Sequence, residues 1–237
     1  MRPLLIVKSG RTLPELARRR GDYEAWISAG MGLEPARVRV AHAYENAPLP
    51  GPGAFAGVVV TGSSAMVSHR EPWSERTAAW LADAVLAGTP VLGICYGHQL
   101  LAQGLGGRVG PNPRGREIGT VEVRLSSAAR GDPLFGELPE RMRVQATHVE
   151  AVLDLPARAR LLASSDGDPH QAFAVGDRAW GVQFHPEFDA DVVRGYLAAR
   201  RDLLLAEGLD PEALRRAASD SPHGAMLLQR FTRLLRE

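Results

Sequence analysis

Two short stretches carry side chains of a type and spacing suited to nucleophilic chemistry. The first, Gly93-Ile94-Cys95-Tyr96-Gly97, holds the only cysteine among 237 residues. An apolar run, Pro90 to Ile94, leads into it, and a helical pattern, Tyr96 to Leu105, leads out. Cys95 therefore falls at a strand-to-helix elbow, where a nucleophile is pushed out at the carboxyl end of a sheet in a strained backbone conformation. Glycines two residues to either side give such a turn its room. The helix N-terminus behind Cys95 adds roughly half a positive charge, which favours thiolate over thiol. The plain alternative is a buried structural cysteine.

The second stretch is Gln183-Phe184-His185-Pro186-Glu187. It follows an apolar strand, so alternation predicts that His185 and Glu187 point the same way, with Pro186 stiffening the link. A carboxylate beside a histidine fixes its tautomer and stabilises the imidazolium. Such a histidine takes a proton from a thiol and returns it to a leaving amine.

The elements that must position these residues are short apolar strands alternating with helical patterns, as in a largely parallel α/β sheet. Strands are expected over Pro3 to Lys8, Arg37 to Ala41, Gly57 to Val60 and Pro90 to Ile94. Further ones are expected at Ile118 to Leu125, Arg141 to Gln145, Leu161 to Ser164, Ala172 to Val175 and Trp180 to Phe184, the downstream group suggesting an antiparallel extension. Thr12 and Glu15 have capping-box spacing ahead of a helix bearing Leu16, Tyr23, Trp26 and Ile27, which Gly21 interrupts. Pro72 opens a helix to about Ala87, with Gly88 as its cap, and Gly106-Gly107 ends the helix behind Cys95. After about Asp189 the chain turns helical and rich in Leu, Ala and Arg: Val192 to Glu207, Pro211 to Ala218 and Ala225 to Arg236, with a break at Asp220-Ser221-Pro222.

Composition narrows the function. The chain is 45% hydrophobic and 23% charged with a net charge of +1, which makes no electrostatic case for nucleic acid or a membrane surface. No apolar run approaches the roughly 18 residues of a membrane span, and Leu4-Leu5-Ile6-Val7, closed by Lys8, is too short for a signal-peptide core. One cysteine excludes an internal disulfide, and His42, His69, His170 and His223 have no partners at metal-ligand spacing, so no metal is expected. No glycine-rich phosphate cradle is present and no cofactor is implied. The arginine bands Arg18-Arg19-Arg20 and Arg200-Arg201 read as solvated helix faces. These features suit a cytoplasmic enzyme.

From its first strand to about Phe188, some four-fifths of its length, the sequence resembles the class I (triad-type) glutamine amidotransferases. The resemblance rests on Gly93-Ile94-Cys95-Tyr96-Gly97-His98-Gln99-Leu100-Leu101, on Gly106-Gly107, and on His185-Pro186-Glu187 lying 90 residues beyond the cysteine. It implies a flavodoxin-like fold over residues 1–188, with 189–237 as a helical extension packed on that domain or on a partner. Within it Cys95 looks like the nucleophile, His185 the general acid/base and Glu187 its orienting carboxylate. Thr61-Gly62-Ser63-Ser64 occupies the place of a glycine-rich turn, where the amide of Gly62 or Ser63 would join that of Tyr96 in an oxyanion hole. Ser63 departs from the more usual glycine there.

Gln99 matches the position that holds the substrate's amino-acid end. Thr147-His148-Val149-Glu150 lies where relatives place a substrate-contacting loop, although His148 is equally readable as a surface histidine. His98 is read as structural. The implied activity is hydrolysis of the glutamine side-chain amide to glutamate and ammonia. Relatives pass ammonia to a synthase, and the tail after Asp189 is too small to be one, so the acceptor is a separate subunit or the protein acts alone. The Thr61 to Ser64 turn and the Trp73 region are similar to stand-alone proteins resembling the amidotransferase domain of GMP synthase. Two rivals remain: a γ-glutamyl hydrolase with the same three residues, and a non-catalytic regulatory binding protein that keeps the fold.

Overall fold

Strands that are apolar at every position need cover on both faces, and that need organises the molecule. The computed structural model describes residues 2–235. In chain order the strands are β1 (Leu4–Lys8), β2 (Val38–His42), β3 (Gly57–Val60), β4 (Val91–Ile94), β5 (Arg108–Pro111), β6 (Glu117–Leu125), β7 (Arg141–His148), β8 (Glu150–Asp154), β9 (Ala159–Ser164), β10 (Ala172–Val175) and β11 (Ala179–Val182). The helices are α1 (Pro14–Arg20), α2 (Tyr23–Gly30), α3 (Pro72–Leu86), α4 (Tyr96–Gly104), α5 (Ala190–Ala199), α6 (Arg201–Ala206), α7 (Pro211–Ala217) and α8 (Pro222–Leu234). A nine-stranded sheet runs in the order β2-β1-β3-β4-β11-β10-β9-β6-β7. The first five strands are mutually parallel and the last four add on antiparallel, while β5 and β8 form a separate antiparallel pair.

Alternate residues of the parallel strands feed two cores. Leu4, Ile6, Val59, Leu92 and Ile94 face one side, where α2 and the C-terminal helices close over them. Leu5, Val7, Val58, Val60 and Val91 face the other, under Ala78 and Leu81 of α3 and Leu100 and Leu101 of α4. Within the C-terminal segment Val193, Leu197, Leu204, Leu227, Leu228 and Phe231 belong to the first core, whereas Leu203 and Leu205 are exposed. Truncating one such fully buried side chain to alanine costs about 2–5 kcal/mol.

Several local expectations need correcting. Thr12 does not cap α1: the helix starts at Pro14 without a side-chain cap, and the Thr12 hydroxyl is drawn instead to that of Tyr196, 2.8 Å away. Gly21 does separate α1 from α2, with φ of +80°, but the cap of α2 is the Asp22 carboxylate, which accepts from the Tyr23 N–H. Strand β7 runs three residues beyond Gln145 to His148. The helix expected over Val192 to Glu207 is broken at Arg200, and α8 starts at Pro222, three residues before Ala225. Arg236, expected as its last residue, lies outside the described residues. Arg19 and Arg20 lie at the surface as expected, where they pair with Asp189 and Asp191 at the start of α5, but Arg200 turns inward.

Candidate active site

Strand β4 ends and α4 begins around one residue. Cys95 sits there with φ 51° and ψ −100°, a left-handed conformation that costs a non-glycine residue about 1–3 kcal/mol. Its N–H donates to the Val182 carbonyl at 2.8 Å, and its own carbonyl accepts from the Gln99 N–H at 3.1 Å, which anchors the turn on both sides. The flanking glycines are there for space. A Cβ on Gly93 would lie 2.3 Å from the Gly97 carbonyl oxygen, and one on Gly97 would lie 2.5 Å from that of Val60.

The neighbouring parallel strand brings the histidine. Strand β11 ends at Val182, so Glu187 reaches His185 through a turn and not by strand alternation. The His185 ring nitrogen Nδ1 lies 2.8 Å from Glu187 Oε1, with both side chains essentially out of solvent. The imidazole is held on its faces as well. The Phe188 ring stacks on it at 4.0 Å between centroids, and a Cβ on Gly62 would press on His185 Cε1 at 2.9 Å. Burial alone would lower the pKa of His185, but the charge of Glu187 and then the Cys95 thiol outweigh it and raise the value to about 10.

Cys95 opens onto a cleft that Ser63, Tyr96, Gln99 and Thr147 to Glu150 also line. Gly62 is buried behind it, under the imidazole. Among the described residues neither the Ser63 nor the Tyr96 N–H has an acceptor, as expected of amides at a tight turn and at a helix N-terminus. The Gly62 N–H likewise has no acceptor among the described residues, but Gly62 does not line the cleft as Ser63 and Tyr96 do. The Ser63 and Tyr96 amides are therefore the ones the cleft offers to an oxyanion.

The Gln99 amide is already committed: its Nε2 donates to the Glu150 carbonyl at 2.9 Å and to Gln183 Oε1 at 3.0 Å. Gln99 thus ties the junction of β7 and β8 to α4 and shapes the cleft through that junction. His148 is no surface residue. It is 5% exposed, with Nε2 3.0 Å from Glu117 Oε2 and Nδ1 3.0 Å from the Glu150 carbonyl. Thr147 is the residue of this segment with an unspent side-chain group, since its Oγ1 is buried and has no partner. His98 is fully buried against Phe173, and burial lowers its pKa to about 3, so it is a neutral packing residue.

Sequence reading missed the aromatic and hydroxyl lining. Tyr23 and Tyr196, 173 residues apart, meet at 2.9 Å between hydroxyls beside His185. Only the aromatic character of Phe188, directly after the His-Pro-Glu turn, offered a signal. Among the described residues no group of three or more His, Cys, Asp or Glu side chains is placed to hold a metal ion, and no helix is long and apolar enough to cross a membrane.

The family profile described as Glutamine amidotransferase class-I matches residues 33–198. A GMP synthase [glutamine-hydrolyzing] from Aeropyrum pernix is 42% identical over 132 residues, which are 56% of this chain and 24% of that protein. Gamma-glutamyl peptidase 4 of Arabidopsis thaliana is 31% identical over 142 residues, 59% of this chain and 56% of that one. The chain thus spans about a quarter of the first relative's length and just over half of the second's. In fold it is similar to a glutamine amidotransferase from Thermotoga maritima, with a TM-score of 0.77 at 23% identity over the whole of both chains. A glutamine amido transferase from Methylobacillus flagellatus gives 0.76 at 22% identity over all of this chain and 93% of that one.

Proposed function

The chain belongs to the class-I glutamine amidotransferases, and from that premise we propose that it hydrolyses the side-chain amide of glutamine through a thioester on Cys95. Cys95 attacks the amide carbon, and the oxyanion that forms is held by the Ser63 and Tyr96 N–H groups. His185, oriented by Glu187, takes the thiol proton as the sulfur attacks and gives it to the departing nitrogen, then draws a proton from water as it hydrolyses the glutamyl thioester and returns it to the sulfur. Glutamate leaves and the thiol is restored.

The observation that carries this reading is the conjunction, just beyond the carboxyl ends of two adjacent central strands, of a strained Cys95 and a buried imidazole fixed on a carboxylate. The junction from Thr147 to Glu150, braced by Gln99, receives the amino-acid end of the substrate. We take residues 1–188 as the catalytic unit and 189–237 as an extension docked on it. A lone thiol that must stay reduced suits the cytoplasm. Ammonia released here serves a separate synthase subunit, as the name of the glutamine-hydrolyzing relative suggests, or the amine is the end product, as that of the peptidase suggests.

Ammonia release from glutamine and from asparagine tests the assignment. Asparagine is one methylene shorter, which misplaces its carbonyl by about 1.5 Å, enough to cost about a hundredfold. Comparable turnover of the two amides would refute the pocket, and turnover of neither amide nor of γ-glutamylglycine would favour a binding protein.

A further inference from the structure

Arg200 stands at the break between α5 and α6, where φ of −106° and ψ of 13° end one helix before the next begins. That break turns its side chain inward, with the guanidinium 4.8 Å from the centroid of the Tyr196 ring. Its Nη1 is buried and has no hydrogen-bond partner, and among the described residues no carboxylate pairs with it. Arg19, Arg20 and Arg116, by contrast, each bond an acidic side chain. Burial pulls the pKa of Arg200 below the ordinary arginine value, and nearby Arg116 pushes the same way. A desolvated, unpaired cation is costly unless an anion completes it. Thr147 Oγ1, also buried and unsatisfied, borders the same space.

That space is a seam. Arg200 and Thr147 line the cleft that contains Cys95, and they line a second cavity of about 160 Å³ that contains His185 but not Cys95. A third wall of the second cavity is a chain of hydroxyls, Thr12 to Tyr196 to Tyr23, at 2.8 and 2.9 Å, and no acidic side chain lines it. The leaving nitrogen takes its proton from His185 in the reading above, and the His185 ring lines this cavity, so a group carried by that nitrogen has this cavity beside it. Ammonia needs no such room, since a site for one water-sized molecule occupies roughly 10–15 Å³ on this measure.

We propose that the second cavity is a leaving-group subsite in which Arg200 binds a carboxylate carried by the amine, so that γ-glutamyl amino acids or short γ-glutamyl peptides are substrates preferred over glutamine. This rests on the thioester reading above. The Cys95 sulfur bonds to the γ-carbonyl carbon, and the C–N bond breaks with its electron pair going to nitrogen, which takes the proton of His185. Water then cleaves the thioester, giving glutamate, a free amino acid or peptide, and the thiol.

The test compares kcat/KM for γ-glutamylglycine and γ-glutamyl methylamide, which differ by the carboxylate. A charge-assisted hydrogen bond predicts that the wild type prefers γ-glutamylglycine by about tenfold to a hundredfold. Arg200→Gln should bring that ratio close to one, and Arg200→Lys should restore part of it. A wild-type ratio near one overturns the subsite. So does an Arg200→Gln protein that loses both activities equally, because Arg200 would then serve the glutamyl half or the fold. Calorimetric binding of the same two compounds to Cys95→Ala, with and without Arg200→Gln, separates the two layers. An Arg200-dependent difference in binding without any wild-type turnover supports the subsite and refutes the thioester. Turnover of both compounds without that difference does the reverse.

Discussion

Two buried histidine–carboxylate pairs among the described residues invite comparison, His185 with Glu187 at 2.8 Å and His148 with Glu117 at 3.0 Å. Both histidine side chains are 2% exposed, so burial does not distinguish them. The second ring nitrogen does. In His148 it is spent on the Glu150 carbonyl, and Glu117 is itself saturated by the Ser165 hydroxyl and the Gln171 amide. In His185 it is not spent on the backbone, and the Cys95 side chain is near enough to raise the ring's pKa, while the second oxygen of Glu187 is buried with no partner among the described residues. One pair is a closed network that locks β6 to the junction of β7 and β8. The other is left open at one end, as proton transfer requires. A histidine beside a carboxylate becomes a candidate for catalysis only when its remaining nitrogen is not consumed by the backbone.

The largest expected effect breaks the open pair. Cys95→Ala should reduce glutamine or γ-glutamyl amide turnover to background, and His185→Ala should lose nearly as much, because residues acting as a unit have penalties that do not add. Turnover assays on variants checked for folding by circular dichroism measure this. Next comes Glu187→Gln, which keeps the hydrogen bond and removes the charge. A loss on the order of tens to thousands of fold is expected.

The same variant has a signature in pH. The charge of Glu187 is the largest influence that raises His185 against its burial, so without it the imidazolium loses its proton at lower pH. The alkaline limb of kcat/KM should therefore move towards neutrality, from a wild-type position near pH 10. The charge also bears on stability. A histidine whose pKa rises on folding stabilises fully below its unfolded value, about 6.5, and that contribution fades as pH climbs through about 10. Glu187→Gln should flatten this dependence in denaturant titrations run between those limits.

The smallest effect on activity should come from the closed pair. His148→Gln removes one of the several bonds that the Glu117 carboxylate and the Glu150 carbonyl take part in, at a cost of about 0.5–1.5 kcal/mol in stability, visible as a lower Tm. The alkaline limb should stay where it is. A loss of activity as deep as that of His185→Ala would erase the distinction between the two pairs.

What sequence could disclose follows the range of the interactions. The elbow was readable because its requirements are local: two glycines, a strand before and a helix after. The inner parallel strands β3, β4 and β11 were readable because burial on both faces leaves unbroken apolar runs, and the edge strand β2 because its residues alternate. Strand β5 was not, since Arg108-Val109-Gly110-Pro111 is short, has Val109 as its one β-branched residue and ends in proline, and it pairs with β8 alone. The role of Thr12 was misread because a hydroxyl 184 residues away outcompetes the local helix cap. His148 was undecidable for the same reason, its partner Glu117 being 31 residues upstream. Arg200 looked like part of a solvated helix because nothing in Ala199-Arg200-Arg201 marks a break. Periodicity assumes continuity, and the helix ends there without glycine or proline.

The central claim is that the γ-glutamyl group passes through Cys95. Acid quenching of the wild-type protein during turnover of glutamine or γ-glutamylglycine, followed by peptide mass spectrometry, tests it most directly. The account predicts one glutamyl group on the peptide that contains Cys95, absent when substrate is omitted and absent from Cys95→Ala. Sustained turnover with no adduct, or with the adduct on another residue, would contradict it.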